Sequence, residues 1–265
     1  MSDLEDDQKF SKFKDDAEED IRPIDLSDNA AKNKPPATDD GHMEAIVAKE
    51  KKSPALPGDE LTAEDEDKSR NIVKKGDFVD ILKLVPSLKE ITIGAGWELK
   101  NLEGDKIDVD LSCFLIDKTE QTRVDDDFVF YNQEMTLDGA VKHLGDSRTG
   151  DGDGDDEEIF LDLNGIPFDI LRIALVLSIY DETLKGWNFG MVKDLFLRLV
   201  DKIEGLEIAR IELNEELFQG QIGIHVANLV REGPKWYFEV LEMPIEGGLA
   251  GIAKKYGIIL RENTG

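Results

Sequence analysis

The chain has 265 residues, 40% of them hydrophobic, and a formal charge of -27 at neutral pH, enough apolar material for one good-sized core beneath an acidic excess larger than solubility requires. A surface this negative repels phosphate backbones, which argues against direct nucleic-acid binding, while it attracts divalent cations and basic partners. The single cysteine, Cys113, permits no intrachain disulfide and suits a reducing compartment.

The first residues, MSDLEDDQKF, carry acids where a signal peptide needs a basic region followed by an apolar one. Nowhere does an apolar run reach the roughly 18 residues of a membrane span. The expectation is a cytoplasmic protein that is not integral to a membrane. Residues 1–70 contain only Phe10 and Phe13 as aromatics and are dominated by Asp, Glu, Lys, Pro and Ala. They offer little apolar surface to offset ordering entropy, and a disordered acidic arm is expected there.

From Asn71 the texture changes to short runs of Val, Ile, Phe and Leu separated by Gly, Asp and Asn clusters. This predicts one all-β domain over 71–265, a β-sandwich of two sheets with short helices. Strands are predicted at Ile91–Gly96, Ile107–Ile116, Phe128–Asn132, Glu158–Leu163, Arg172–Asp181, Leu195–Val200, Glu207–Leu213, Gln221–Arg231 and Trp236–Glu242. In GGLAGIAKKYG, Leu249, Ile252, Ala253 and Tyr256 fall at helical spacing and Gly257 stands where a cap belongs, so a short helix is expected near the C-terminus. A helical turn fits Asn188–Asp194.

Within KIDVDLSCFLI the apolar residues Ile107, Val109, Leu111, Cys113 and Leu115 alternate with Asp108, Asp110, Ser112 and Phe114. A strand here places two carboxylates on one face, roughly 6 to 7 Å apart, a span that one hard cation can bridge. Read alone, the same pattern also describes a half-buried strand with an acidic outer face.

Further on, GDSRTGDGDGDDEE packs Asp146, Asp151, Asp153, Asp155, Asp156, Glu157 and Glu158 into one short loop opposed only by Arg148. Two carboxylates about 4 Å apart repel by about 4 kcal/mol at an effective dielectric near 20, so a compact loop calls for a bound cation. Gly150, Gly152 and Gly154 allow tight turns that aim successive oxygens inward. Oxygen ligands without His or Cys select calcium or magnesium, and a flexible many-oxygen site favours calcium. Asp151, Asp153 and Asp155 match the opening spacing of an EF-hand loop, but Asp156 stands in place of its glycine, Asp162 in place of its final Glu, and EEIFLDL reads as a strand.

Between these stretches, in DDDFVFYNQE, Asn132 offers an amide oxygen that suits either the same coordination sphere or a turn. The expected metal ligands are thus Asp108, Asp110, Ser112, Asn132, Asp146, Asp153, Asp155, Asp156 and Glu157. Catalysis has thin support: His42, His143 and His225 are scattered, and no phosphate-cradling loop or paired nucleophile and base can be named. The competing reading is a metal-assisted phosphoryl-transfer or hydrolytic enzyme using the acidic cluster. Cys113 alternates with Val109 and Leu111, which predicts a buried, inert thiol.

Taken in order, DVDLSCF, DDDFVFYNQ, GDSRTGDGDGDDE, NFG at Asn188–Gly190 and GGLAG at Gly247–Gly251 resemble the tellurium-resistance TerD family over about Asn71–Ile259. The resemblance implies a two-sheet sandwich that binds calcium through Asp108, Asp110 and Ser112 of one segment and Asp146, Asp153, Asp155, Asp156 and Glu157 of the other. Asp151 falls at a variable position, and Gln133 stands where the family often has a second Asn. Such proteins are linked to bacterial stress and tellurite resistance. The resemblance supplies a site and a context, and the function expected from them is a non-enzymatic, calcium-stabilised adaptor for other stress-response proteins, with the inner membrane face as one place of action.

Overall fold

A computed structural model of the chain describes residues 71–100, 107–145, 154–179 and 186–259. The arm expected over 1–70 lies outside the described residues. The domain is built from strands β1 (Phe78–Asp80), β2 (Glu90–Leu99), β3 (Val109–Ile116), β4 (Phe128–Val129), β5 (Val141–His143), β6 (Glu157–Asp162), β7 (Arg172–Ile179), β8 (Val192–Asp201), β9 (Glu207–Glu212), β10 (Gly223–Glu232) and β11 (Lys235–Pro244), with helices α1 (Ile81–Leu84) and α2 (Gly248–Lys255).

These strands form two antiparallel sheets, one ordered β1-β11-β10-β7-β3-β4 and the other β5-β6-β2-β8-β9. Period-two alternation decides what each strand buries. Ile91, Ile93, Ala95 and Trp97 of β2 and Val109, Leu111, Cys113 and Leu115 of β3 belong to the large core between the sheets. A second, smaller core forms on the outer face of the six-stranded sheet. There Phe114, Phe128 and Phe130 stack with centroids 4.3 and 4.2 Å apart, and Ile252, Ala253 and Tyr256 of α2 close over them.

Helix α2 falls where its apolar spacing places it, and Gly257 caps it at φ +89°, a conformation that favours glycine. The helical turn expected over Asn188–Asp194 is only a 3-10 turn, Phe189–Met191, after which β8 begins at Val192. The strand expected over Phe128–Asn132 is shorter than its sequence suggests. Reciprocal backbone bonds between Phe130 and Gln133 (3.0 and 3.1 Å) turn the chain just after β4.

Sheet pairing sets the geometry of the acidic region. On one side β3 pairs with β7 along its whole length, and on the other, among the described residues, it pairs only with the two residues of β4, at Cys113 and Phe114. The first half of β3 therefore presents a backbone edge to β6, which starts the facing sheet's acidic strand.

Candidate metal centre

Two consecutive carboxylates tie this corner together. Glu157, the first residue of β6, accepts a hydrogen bond at Oε2 from the Leu111 N–H on the β3 edge. Asp156 accepts at Oδ2 from the Trp97 N–H of β2 at 2.9 Å, while its own N–H donates to the Ala95 carbonyl at 2.7 Å. Both side chains are buried. A buried carboxylate bound to backbone N–H groups holds a fixed position, which is what a cation ligand needs.

Asp110 lies opposite Ser178, and Ser112 opposite Val176, on the outer face of the six-stranded sheet. Asp110, Ser112 and Ser178 are all buried. Neither serine hydroxyl has a hydrogen-bond partner among the described residues. An unmatched buried hydroxyl costs stability, and a hard cation or ordered water beside it would relieve that cost. Asp108 precedes β3 by one residue, and Asn132 sits in the turn after β4.

Asp155, another of the expected ligands, is held by an arginine. Its carboxylate forms a two-pronged ion pair with Arg198 of β8, Nε to Oδ1 at 2.7 Å and Nη2 to Oδ2 at 2.9 Å. The cause is a bend: residues 154–156 cross the outer face of β2, and Asp155 lies directly over Gly94. Gly94 neighbours Arg198 in the register, so the guanidinium is the nearest counter-charge. Arg198 also contacts Glu207 at 3.3 Å. Burial opposes its charge, but the pairs with Asp155 and Glu207 outweigh that and raise its pKa. Asp146 and Asp153 lie outside the described residues.

Among the described residues, no group of three His, Cys, Asp or Glu side chains is placed to hold a metal ion. The chemistry of the donors nevertheless fits a hard cation. Asp108, Asp110, Ser112, Asn132, Asp156 and Glu157 all offer oxygen. Sequence reasoning missed His143, whose Nε2 stands 3.5 Å from Glu157 Oε2. It also missed Arg198, although the alternation of LFLRLV in β8 already turns Arg198 away from the leucines.

Elsewhere on the outer face of the six-stranded sheet, a register shift between His225 and Ala227 brings His225 and Asn228 to the same side. His225 Nε2 meets Asn228 Oδ1 at 2.8 Å, and Asn228 Nδ2 donates to Glu239 Oε2 at 2.7 Å. Since Asn228 presents its oxygen to the ring, Nε2 carries the proton. Burial lowers the pKa of His225 to about 4. The Cys113 thiol is buried between the sheets, and desolvation pushes its pKa far above the ordinary range. No helix among the described residues is long and apolar enough to cross a membrane.

A two-sheet antiparallel sandwich with a C-terminal helix on one outer face and an acidic corner between the sheets defines an all-β class of known proteins. Residues 71–256 match the TerD domain model, and the chain belongs to the TerD family. It is 37% identical over 186 residues to tellurium resistance protein TerD of Alcaligenes sp, covering 70% of this chain and 96% of that protein. It is 36% identical to general stress protein 16U of Bacillus subtilis (strain 168), covering 69% and 95%. The fold is shared with a crystal structure of a Streptomyces coelicolor A3(2) homologue of telluride resistance protein (TerD), at TM-score 0.52 and 16% identity over 64% of this chain and 97% of that one.

Proposed function

We propose that this protein is a calcium-binding, non-enzymatic stress-response module of the TerD type. In this reading it is an ion-stabilised adaptor for other stress-response proteins, acting in the cytoplasm at the inner membrane face. Relatives named for tellurium resistance and for general stress support the physiological setting. The observation that supports the ion is the fixing of consecutive carboxylates to different sheets, Asp156 to β2 and Glu157 to the Leu111 N–H, which lies between Asp110 and Ser112 in β3.

Bound there, calcium would supply the positive charge that lets these carboxylates sit close together. Asp108, Asp110, Ser112, Asn132, Asp156 and Glu157 would hold it, joined by Asp146 and Asp153. The chain's own contribution is positional: backbone N–H groups of Leu111 and Trp97 orient the acids before the ion arrives. In the adaptor reading, an ion that binds only the folded corner stabilises whatever surface that corner offers a partner.

Thermal melts of metal-free protein with and without calcium test the proposal. Calcium at about 100 times its Kd should add about 2.7 kcal/mol per site. A melting temperature indifferent to saturating calcium would refute it. Capture of stress-response proteins only in the presence of calcium tests the adaptor role, and capture equal in chelator would remove it.

A further inference from the structure

The loop that carries the acidic cluster re-enters the sandwich by an unusual path. Residues 154–156 cross the outer face of β2 before β6 begins, passing over two glycines. A Cβ on Gly94 would overlap the Asp155 carboxylate, and one on Gly96 would stand 2.8 Å from the Gly154 carbonyl. The crossing is possible only because β2 has no side chains at those two positions.

Two bonds between Asp156 and β2 hold one end of the crossing, and a single side chain, that of Arg198, holds Asp155. The Asp155 carboxyl is 3% exposed, and Arg198 grips both its oxygens. Arg198 is itself braced by Glu207, which in turn receives two bonds from Arg210 at 3.0 Å. A buried carboxylate stripped of its counter-charge is strongly destabilised, so without Arg198 the Asp155 end of the crossing would lift away from β2 and pull on the Asp156 bonds. The next two residues are Asp156 and Glu157.

We propose that Arg198 is a positioning residue for the cation site, acting through Asp155 to set where the Asp156 and Glu157 carboxylates stand. The inference rests on the calcium reading above and assigns Asp155 to anchoring rather than to ligation. Arg198 never touches the ion. Its influence runs through the backbone from Asp155, by way of the Asp156 N–H bond to Ala95 and the Asp156 bond to Trp97.

The sign of the effect separates this role from simple electrostatics. Deleting a positive charge near a cation site makes the local field more negative and should tighten calcium binding. The same should follow if Asp155 were a ligand that Arg198 merely occupies. Loss of positioning instead weakens binding, by about 10- to 100-fold as is usual when a group that orients metal ligands is removed.

Calcium titrations of wild type, Arg198→Met, Arg198→Lys, Asp155→Asn and the Asp155→Asn/Arg198→Met pair decide it, each checked for folding by circular dichroism at the titration temperature. The expected result is weaker binding by at least about tenfold in Arg198→Met, partial recovery in Arg198→Lys, and a double variant no worse than Arg198→Met alone. If Arg198→Met does not fold, Arg198→Gln, which deletes the same charge, takes its place and should bind calcium more weakly. Equal or tighter binding by a folded Arg198 variant overturns the positioning role while leaving the calcium reading intact. Absence of calcium binding by wild type overturns the calcium reading itself and this inference with it.

Discussion

The carboxylate of Glu157 accepts the Leu111 backbone N–H, so the first residue of a strand in one sheet completes the hydrogen bonding of a buried strand edge in the other. One side chain thereby serves both fold and site. Glu157→Gln keeps an acceptor oxygen for Leu111 and should leave metal-free stability within about 1 kcal/mol of wild type, yet weaken calcium binding. Glu157→Ala removes both and should cost about 1–3 kcal/mol, because a buried N–H is left unpaired. Urea denaturation in chelator checks the difference, and equal loss in the two variants would contradict it.

Gly96→Ala places a methyl 2.5 Å from ring carbons of Phe196 and 2.8 Å from the Gly154 carbonyl. The ring can turn, but the backbone of the crossing cannot yield without disturbing Asp155. A loss of about 1–3 kcal/mol is expected by chemical denaturation, as for other overpacked sites. An unchanged midpoint would mean that the 154–156 crossing is not held against β2.

The buried His225 makes stability depend on pH. Its folded pKa, about 4, lies below its ordinary value of 6.5, so between those values the unfolded chain binds more protons. Its contribution is therefore fully present above about pH 6.5 and is lost as pH falls toward about 4. The whole effect is on the order of 3 kcal/mol. Melts at pH 7 and pH 5 should differ less in His225→Gln than in wild type; equal differences would contradict the assignment.

Cys113 should resist thiol reagents while the protein is folded, since the thiol is both inaccessible and protonated at neutral pH. Labelling at the rate of global unfolding is expected with Ellman's reagent. Fast labelling of the native protein would revive a direct chemical role for this thiol.

Much of the architecture is legible in the sequence because side chains alternate between the two faces of a strand. KIDVDLSCFLI separates Val109, Leu111 and Cys113 from Asp110 and Ser112, and the structure keeps that division. Strands β1 and β5 are not legible. Each has three residues, too few for a period, and β5 exists because Val141 and His143 find Leu161 and Ile159 in β6.

The site is legible in part for a related reason. Residue type and spacing mark the acids as candidate cation ligands, but the direction of each side chain is set by partners far away in the chain. Asp155 and Asp156 look equivalent in GDGDDE. One is drawn to Arg198, 43 residues away, and the other to the Trp97 N–H, 59 residues back. Only the bend over Gly94 and Gly96 separates them.

The most direct measurement is a calorimetric titration of metal-free protein with calcium and, separately, with magnesium, comparing wild type with Asp110→Asn/Asp156→Asn. Stoichiometric calcium binding, preferred over magnesium and weakened at least about tenfold in the double variant, is the expected result. A folded wild-type protein that binds no calcium would contradict the account and leave the acidic corner a feature of the fold alone.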